Sequence, residues 1–159
     1  MNPMQSRLVR GNLVGTAVFL LALMIAIPFK GDRFAQVTIG VVSLVLFAIG
    51  IATSLWAYTS ALERSRVEEV GVANLYLLTG ATAPQHIKRV MVCALVVQVV
   101  AALIGAIVGV TGLQQNDVNA LAFGVLVPMF GIGMNGAWAA RYGSYGPRVT
   151  TARTSKKNG

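Results

Sequence analysis

Few residues in this sequence could carry chemistry. There is one histidine, His86, and one cysteine, Cys93. The carboxylates are Asp32, Glu63, Glu68, Glu69 and Asp117. Acid–base or nucleophilic catalysis needs such groups held together in one site. Here His86 stands beside Lys88 in a polar stretch and reads as a solvated residue. Cys93 lies in an apolar run and reads as a small packing residue. A lone cysteine forms no internal disulfide. A structural zinc site takes four nitrogen or sulfur ligands, more than this inventory offers. Haem held between two histidines would need histidine in the apolar runs, and they have none. The expectation is therefore a non-enzyme with no catalytic residue, no metal and no cofactor.

What remains inside the apolar runs is amide chemistry. Gln98 and Asn135 can donate and accept hydrogen bonds without changing charge. Two readings stay open for them. They are glue between helices, or they line a polar path for a substrate. Their expected depths differ by only about 6 Å at 1.5 Å per residue. They could thus meet directly, or through Thr53 and Ser54.

The elements that position these groups follow from where charge is missing. Of 159 residues, 55% are hydrophobic and only 11% charged, with a mean hydropathy of +0.69. Such a chain is too apolar to hide its surface in a small soluble globule, and too apolar to be disordered. Uncharged stretches of 19, 29, 27 and 23 residues lie between Arg10 and Lys30, Arg33 and Glu63, Arg89 and Asp117, and Asp117 and Arg141. About 20 apolar residues cross a bilayer as a helix. The predicted fold is thus an all-α integral membrane protein. Its four transmembrane helices lie at about 12–29, 36–58, 90–111 and 119–140, making one domain over 1–142. A basic tail follows over 143–159. Pro28, Phe29 and Lys30 follow the first run with no small-residue cleavage site, so that run reads as a span rather than a signal peptide.

Net charge is +8, from 13 basic and 5 acidic residues. With four spans, all bases but Lys30 and Arg33 fall on one side. The positive-inside rule then places both termini in the cytoplasm. The charge records orientation, and no nucleic-acid partner is expected. The protein belongs, on this reading, in a bacterial plasma membrane. Trp56 and Trp138, with Tyr58, Tyr142 and Tyr145, fall near the inner face and suit an interfacial belt.

The loop over 59–89 is the largest soluble feature. Val67, Val70, Gly71, Leu75 and Leu78 share a helical face, so Ala61 to Leu78 reads as an amphipathic cytoplasmic helix stopped at Gly80. The alternative is a second span that runs on past the membrane. The tail carries Arg148, Arg153, Lys156 and Lys157, which would attract anionic inner-leaflet lipid or a partner.

Small residues recur at four-residue spacing: Ala101, Gly105 and Gly109 in the third span, Gly133 and Ala137 in the fourth. Such faces let helices approach closely, either within the chain or against another subunit. Pro128 should kink the fourth span.

The run LAFGVLVPMFGIGMNGAWAARYGSYGPR, Leu121 to Arg148, resembles the last span of uncharacterised small four-helix inner-membrane proteins of actinobacteria. EEVGVANLYLLTGATA, within Val67 to Ala83, is similar to their inner loop. The resemblance implies an actinobacterial plasma membrane and no particular activity. Small multidrug exporters are similar in size but carry a Glu in the first span, and Gly11 to Phe29 holds none. The expected role is an accessory subunit of a respiratory or cell-envelope complex. The alternative is a homo-oligomeric transporter or channel using Gln98, Asn135 and the Pro128 kink.

Overall fold

The computed structural model describes residues 3–29, 31–111 and 119–147. These form helices α1 (Pro3–Ala26), α2 (Arg33–Arg64), α3 (Val72–Leu77), α4 (Gln85–Val110) and α5 (Pro128–Tyr142). A 3-10 helix, Ala120–Leu126, leads into α5. Among the described residues, extended pairing is limited to one isolated bridge, Glu68 to Pro147. Among the described residues, four stretches are long and apolar enough to cross a membrane: Arg7–Ala26, Arg33–Arg64, Gln85–Val110 and Ala120–Tyr142. The chain is thus all-helical, with four membrane-spanning candidates.

The last span is the centre of the bundle. Some 56% of its apolar 18-residue stretch is buried, against 39%, 28% and 33% for those of the first three spans. Its composition explains this. Gly131, Gly133, Gly136, Ala137, Ala139 and Ala140 leave room for neighbours on every side of α5. Gly50 of α2 lies against the backbone of Met129 and Phe130, and Gly136 lies against the ring of Tyr76. The aliphatic side chains of α1, α2 and α4 that point away from α5 remain exposed, among them Val14, Val41 and Val100. Exposed valine and leucine all around a bundle suit hydrocarbon as the surrounding solvent.

Helix α2 runs well past the expected 36–58. Asp32 caps it, accepting the Ala35 N–H at 3.1 Å. Its 32 residues reach about 48 Å, more than the roughly 30 Å of a hydrocarbon core. The continuous helix expected over Ala61–Leu78 is therefore split. Its first residues finish α2, and α3 is a separate six-residue helix. Leu75 and Leu78 are buried, while Val72 and Leu77 point out. Leu78 itself takes the left-handed conformation at φ 53° that ends α3, ahead of the expected stop at Gly80. Its complete burial offsets a backbone cost of order 1 kcal/mol.

The fourth span breaks where Pro128 stands. Proline has no N–H to give the Gly124 carbonyl, and its ring crowds that carbonyl in an α-helix. Gly124 accepts from Val127 instead at 3.0 Å, and Phe130 donates to Val127 at 2.8 Å. This tighter i to i+3 pattern is the 3-10 geometry. Pro128 then opens α5 at its first turn, where a missing donor costs nothing. The expected kink is a break between two helix types.

Candidate functional site

Two polar constructions lie against α5. The first is inside the span region. Gln98 of α4 donates through Nε2 to Thr16 Oγ1 at 2.7 Å and to Asn12 Oδ1 at 3.3 Å, both on α1. Thr16 donates in turn to the Asn12 carbonyl at 2.8 Å. All three residues are buried. Two atoms of the cluster have no partner, Asn12 Nδ2 and Gln98 Oε1. The Gln98 carbonyl rests against Gly131, in the first turns of α5, at a place a Cβ would occupy. Gly131 is small because an amide fills its space.

Asn135 belongs to a different joint. Its Nδ2 donates to the Tyr76 carbonyl at 3.1 Å, and the Tyr76 hydroxyl donates to the Ser54 carbonyl at 3.0 Å. Asn135 thus ties α5 to α3, and Tyr76 ties α3 to α2. No hydrogen bond joins Gln98 to Asn135, nor either of them to Thr53 or the Ser54 side chain, so the expected meeting does not occur. Depth alone suggested the pairing. The side of each helix decides it, since Gln98 faces α1 and Asn135 faces α3.

Asn12 lies at the edge of the first span, where a polar residue is ordinary. Its signal in the sequence is the pair Asn12 and Thr16, at i and i+4 on one helix face.

The second construction closes one end of the bundle. Arg64, the last residue of α2, donates from Nη1 to the Ala140 carbonyl and from Nη2 to the Gly143 carbonyl, each at 3.0 Å. Its Nε donates to Glu68 at 2.9 Å. The guanidinium also lies 4.8 Å over the ring of Tyr145. A planar group with five donors can serve these partners at once. The carbonyls it meets are those a helix C-terminus leaves unpaired, where a cation is also favoured by the helix dipole. Glu69 N–H donates to Gly146, Ser144 N–H to Thr82, and the Tyr145 hydroxyl to Ala139. Burial pushes the Tyr145 hydroxyl above its ordinary pKa, against the lowering effect of Arg64 and with the raising effect of Glu68. It therefore remains a neutral donor at physiological pH. The chain leaving α5 is thus held by the loop that follows α2.

The small-residue faces are filled from within the chain. Ala101 is buried. Gly105 meets Leu23 of α1 and the Leu121 carbonyl, and Gly109 meets the Asn119 side chain. Gly133 lies against the Gly50 carbonyl and Thr53 hydroxyl, and Ala137 is buried. No bare stripe is left on those faces for another subunit. Trp56 and Tyr58 are exposed, as an interfacial belt requires, but Trp138 is buried and tilted against Tyr142 with centroids 6.0 Å apart. Burial on the central helix overrides the interfacial preference of its indole. The tail residues Arg148, Arg153, Lys156 and Lys157 lie outside the described residues.

Chemically, the intramembrane cluster can hold hydrogen bonds and little else. No Asp, Glu, His, Lys or Arg occurs in 12–26, 35–62, 90–110 or 120–140. Gln98→Leu should cost about 1–2 kcal/mol, because it leaves Asn12 and Thr16 facing each other without their shared donor. Thermal unfolding of the purified protein in detergent measures this. Asn12→Ala together with Gln98→Leu should cost less than Gln98→Leu alone, since it also removes the stranded polar group.

No family model matches the chain, and neither a curated protein nor a solved structure does.

Proposed function

We propose that the chain is a non-catalytic accessory subunit of a larger plasma-membrane assembly, respiratory or cell-envelope, with both termini in the cytoplasm. One observation carries this reading. The amide nitrogens of the two span-region amides are each engaged in a joint between helices, Gln98 Nε2 to α1 and Asn135 Nδ2 to α3. A unit whose polar atoms hold its own helices together is suited to scaffolding. The positive-inside distribution supports the orientation, and puts the Arg64 clamp and α3 at the cytoplasmic face. There α3 packs its buried side on the bundle and turns Val72 and Leu77 toward the headgroups. The first residues of the basic tail, 143–147, belong to the clamp. The resemblance of Leu121 to Arg148 to actinobacterial inner-membrane proteins supports that membrane as its home.

Purification at native abundance through a tag on this chain, in a mild detergent, tests the role. A stoichiometric partner is expected. Recovery of this chain alone would contradict it.

A second reading, a small transporter, is favoured by the break at Pro128, which sets the first turns of α5 beside the unpartnered Gln98 carbonyl. Broken helices next to polar groups are a feature of substrate sites in transporters. Flux through liposomes that is lost in Gln98→Leu would establish this reading in place of the first.

A further inference from the structure

Helices α1 and α4 are separated by one return pass, so both begin at the same end of the bundle. Between them, on the outer surface, lies a groove of about 410 Å³. Leu13, Ala17 and Leu20 form one wall, and Val90, Cys93 and Val97 the other. The stripe on α1 continues one turn toward the helix start to Arg10, spaced i−3 from Leu13. On α4 it continues to Arg89 and His86, spaced i−4 from Cys93 and from Val90. Side chains of a helix lean toward its N-terminus, so these heads reach beyond the groove's end. Arg10 and Arg89 are both exposed. The ion pair among the described residues is Arg64 with Glu68, and it uses neither of them.

We infer that this groove is a specific site for one anionic phospholipid, with an acyl chain between α1 and α4 and its phosphate between Arg10 and Arg89. The apolar walls match the chain, and the cationic rim matches the headgroup. Both helices also turn their positive ends toward that leaflet. Under the orientation proposed above it is the inner one, where anionic lipid attracts basic residues. A second copy of this chain fits poorly, because its own Arg10 and Arg89 would meet these at the same depth. The inference needs the chain to span a membrane, and does not depend on its being a subunit.

Native mass spectrometry of the protein, released from micelles doped with phosphatidylglycerol or phosphatidylcholine, tests this. One phosphatidylglycerol per chain should be retained in preference to phosphatidylcholine. Arg10→Gln with Arg89→Gln should weaken retention about 30-fold, the effect of two cations at an anionic surface. Arg33→Gln, at the other end of the bundle, should leave it unchanged. Ala17→Leu with Cys93→Leu fills the groove without touching charge, and should also abolish retention. Equal retention of the two lipids would overturn the site. So would binding that survives in the groove-filled protein, which would reduce it to diffuse charge attraction. Oxidative Cys93-to-Cys93 crosslinking in native membranes would show a second copy in the groove instead.

Discussion

Gly133→Leu is expected to prevent the bundle from folding. A Cβ at this position would fall on the Gly50 carbonyl and the Thr53 hydroxyl of α2. The reverse approach is as tight, since a Cβ on Gly50 would lie 2.6 Å from the Met129 carbonyl. Where a flexible side chain can give way, overpacking costs about 1–3 kcal/mol. Here the obstacle is backbone, so helices α2 and α5 must separate. The separation would spread, because α5 is the core of the bundle and also carries Asn135 and Gly136 against α3. The loss should exceed about 3 kcal/mol, a large part of the roughly 5–15 kcal/mol that holds a domain folded. Monodisperse yield and thermal unfolding in detergent would show it. Gly40→Ala, on α2 away from α5, is the control. Nothing lies within 4 Å of its added Cβ, so it should be neutral or slightly stabilising.

Arg64→Met should produce the second large effect, about 2–3 kcal/mol, from the loss of charge-assisted bonds to two carbonyls and a carboxylate. Partial exposure of the pair with Glu68 keeps the figure at the lower end of what three such bonds could give. Arg64→Lys should recover little of it, because one ammonium cannot span Ala140, Gly143 and Glu68 together. The effect has a local signature. Amide hydrogen exchange should rise at Gly143, Ser144 and Glu69, whose N–H groups donate to Ala139, Thr82 and Gly146 within the clamp. It should change far less around Gln98. A uniform change would mean that Arg64 acts on global stability without clamping this segment.

These two sites differ in how far the sequence reveals them. Gly133 stands out as a small residue at helical spacing, and its role in close approach follows from that. What spacing alone leaves open is which helix it meets, since the answer depends on three-dimensional packing. Arg64 gives no such signal. It is one base among several that the positive-inside rule assigns to one face, and that rule accounts for all of them equally. Only the fold brings the end of α5 within reach of its guanidinium. The spans themselves are legible because exclusion of charge from hydrocarbon is a one-dimensional rule. The split of Ala61–Leu78 is not, because the same apolar spacing serves a helix on the membrane and a short helix against α5. Gln98 and Asn135 are visible as costly amides, while their partners depend on helix rotation. Cys93 reads as packing, yet it is exposed and lines the groove beside α1.

Orientation underlies the proposed role, the leaflet assigned to the proposed lipid site and the meaning of the +8 charge. Single cysteines in a Cys93→Ser background measure it directly. Gly31→Cys and Gly146→Cys suit the purpose, because nothing lies within 4 Å of either added Cβ. Gly31 belongs to the turn between α1 and α2, and Gly146 to the segment held by the clamp. In intact cells a membrane-impermeant maleimide should label the Gly31→Cys protein and spare the Gly146→Cys protein until the membrane is opened. Labelling of the Gly146→Cys protein alone would reverse the orientation, and labelling of both in sealed cells would contradict the three crossings between them.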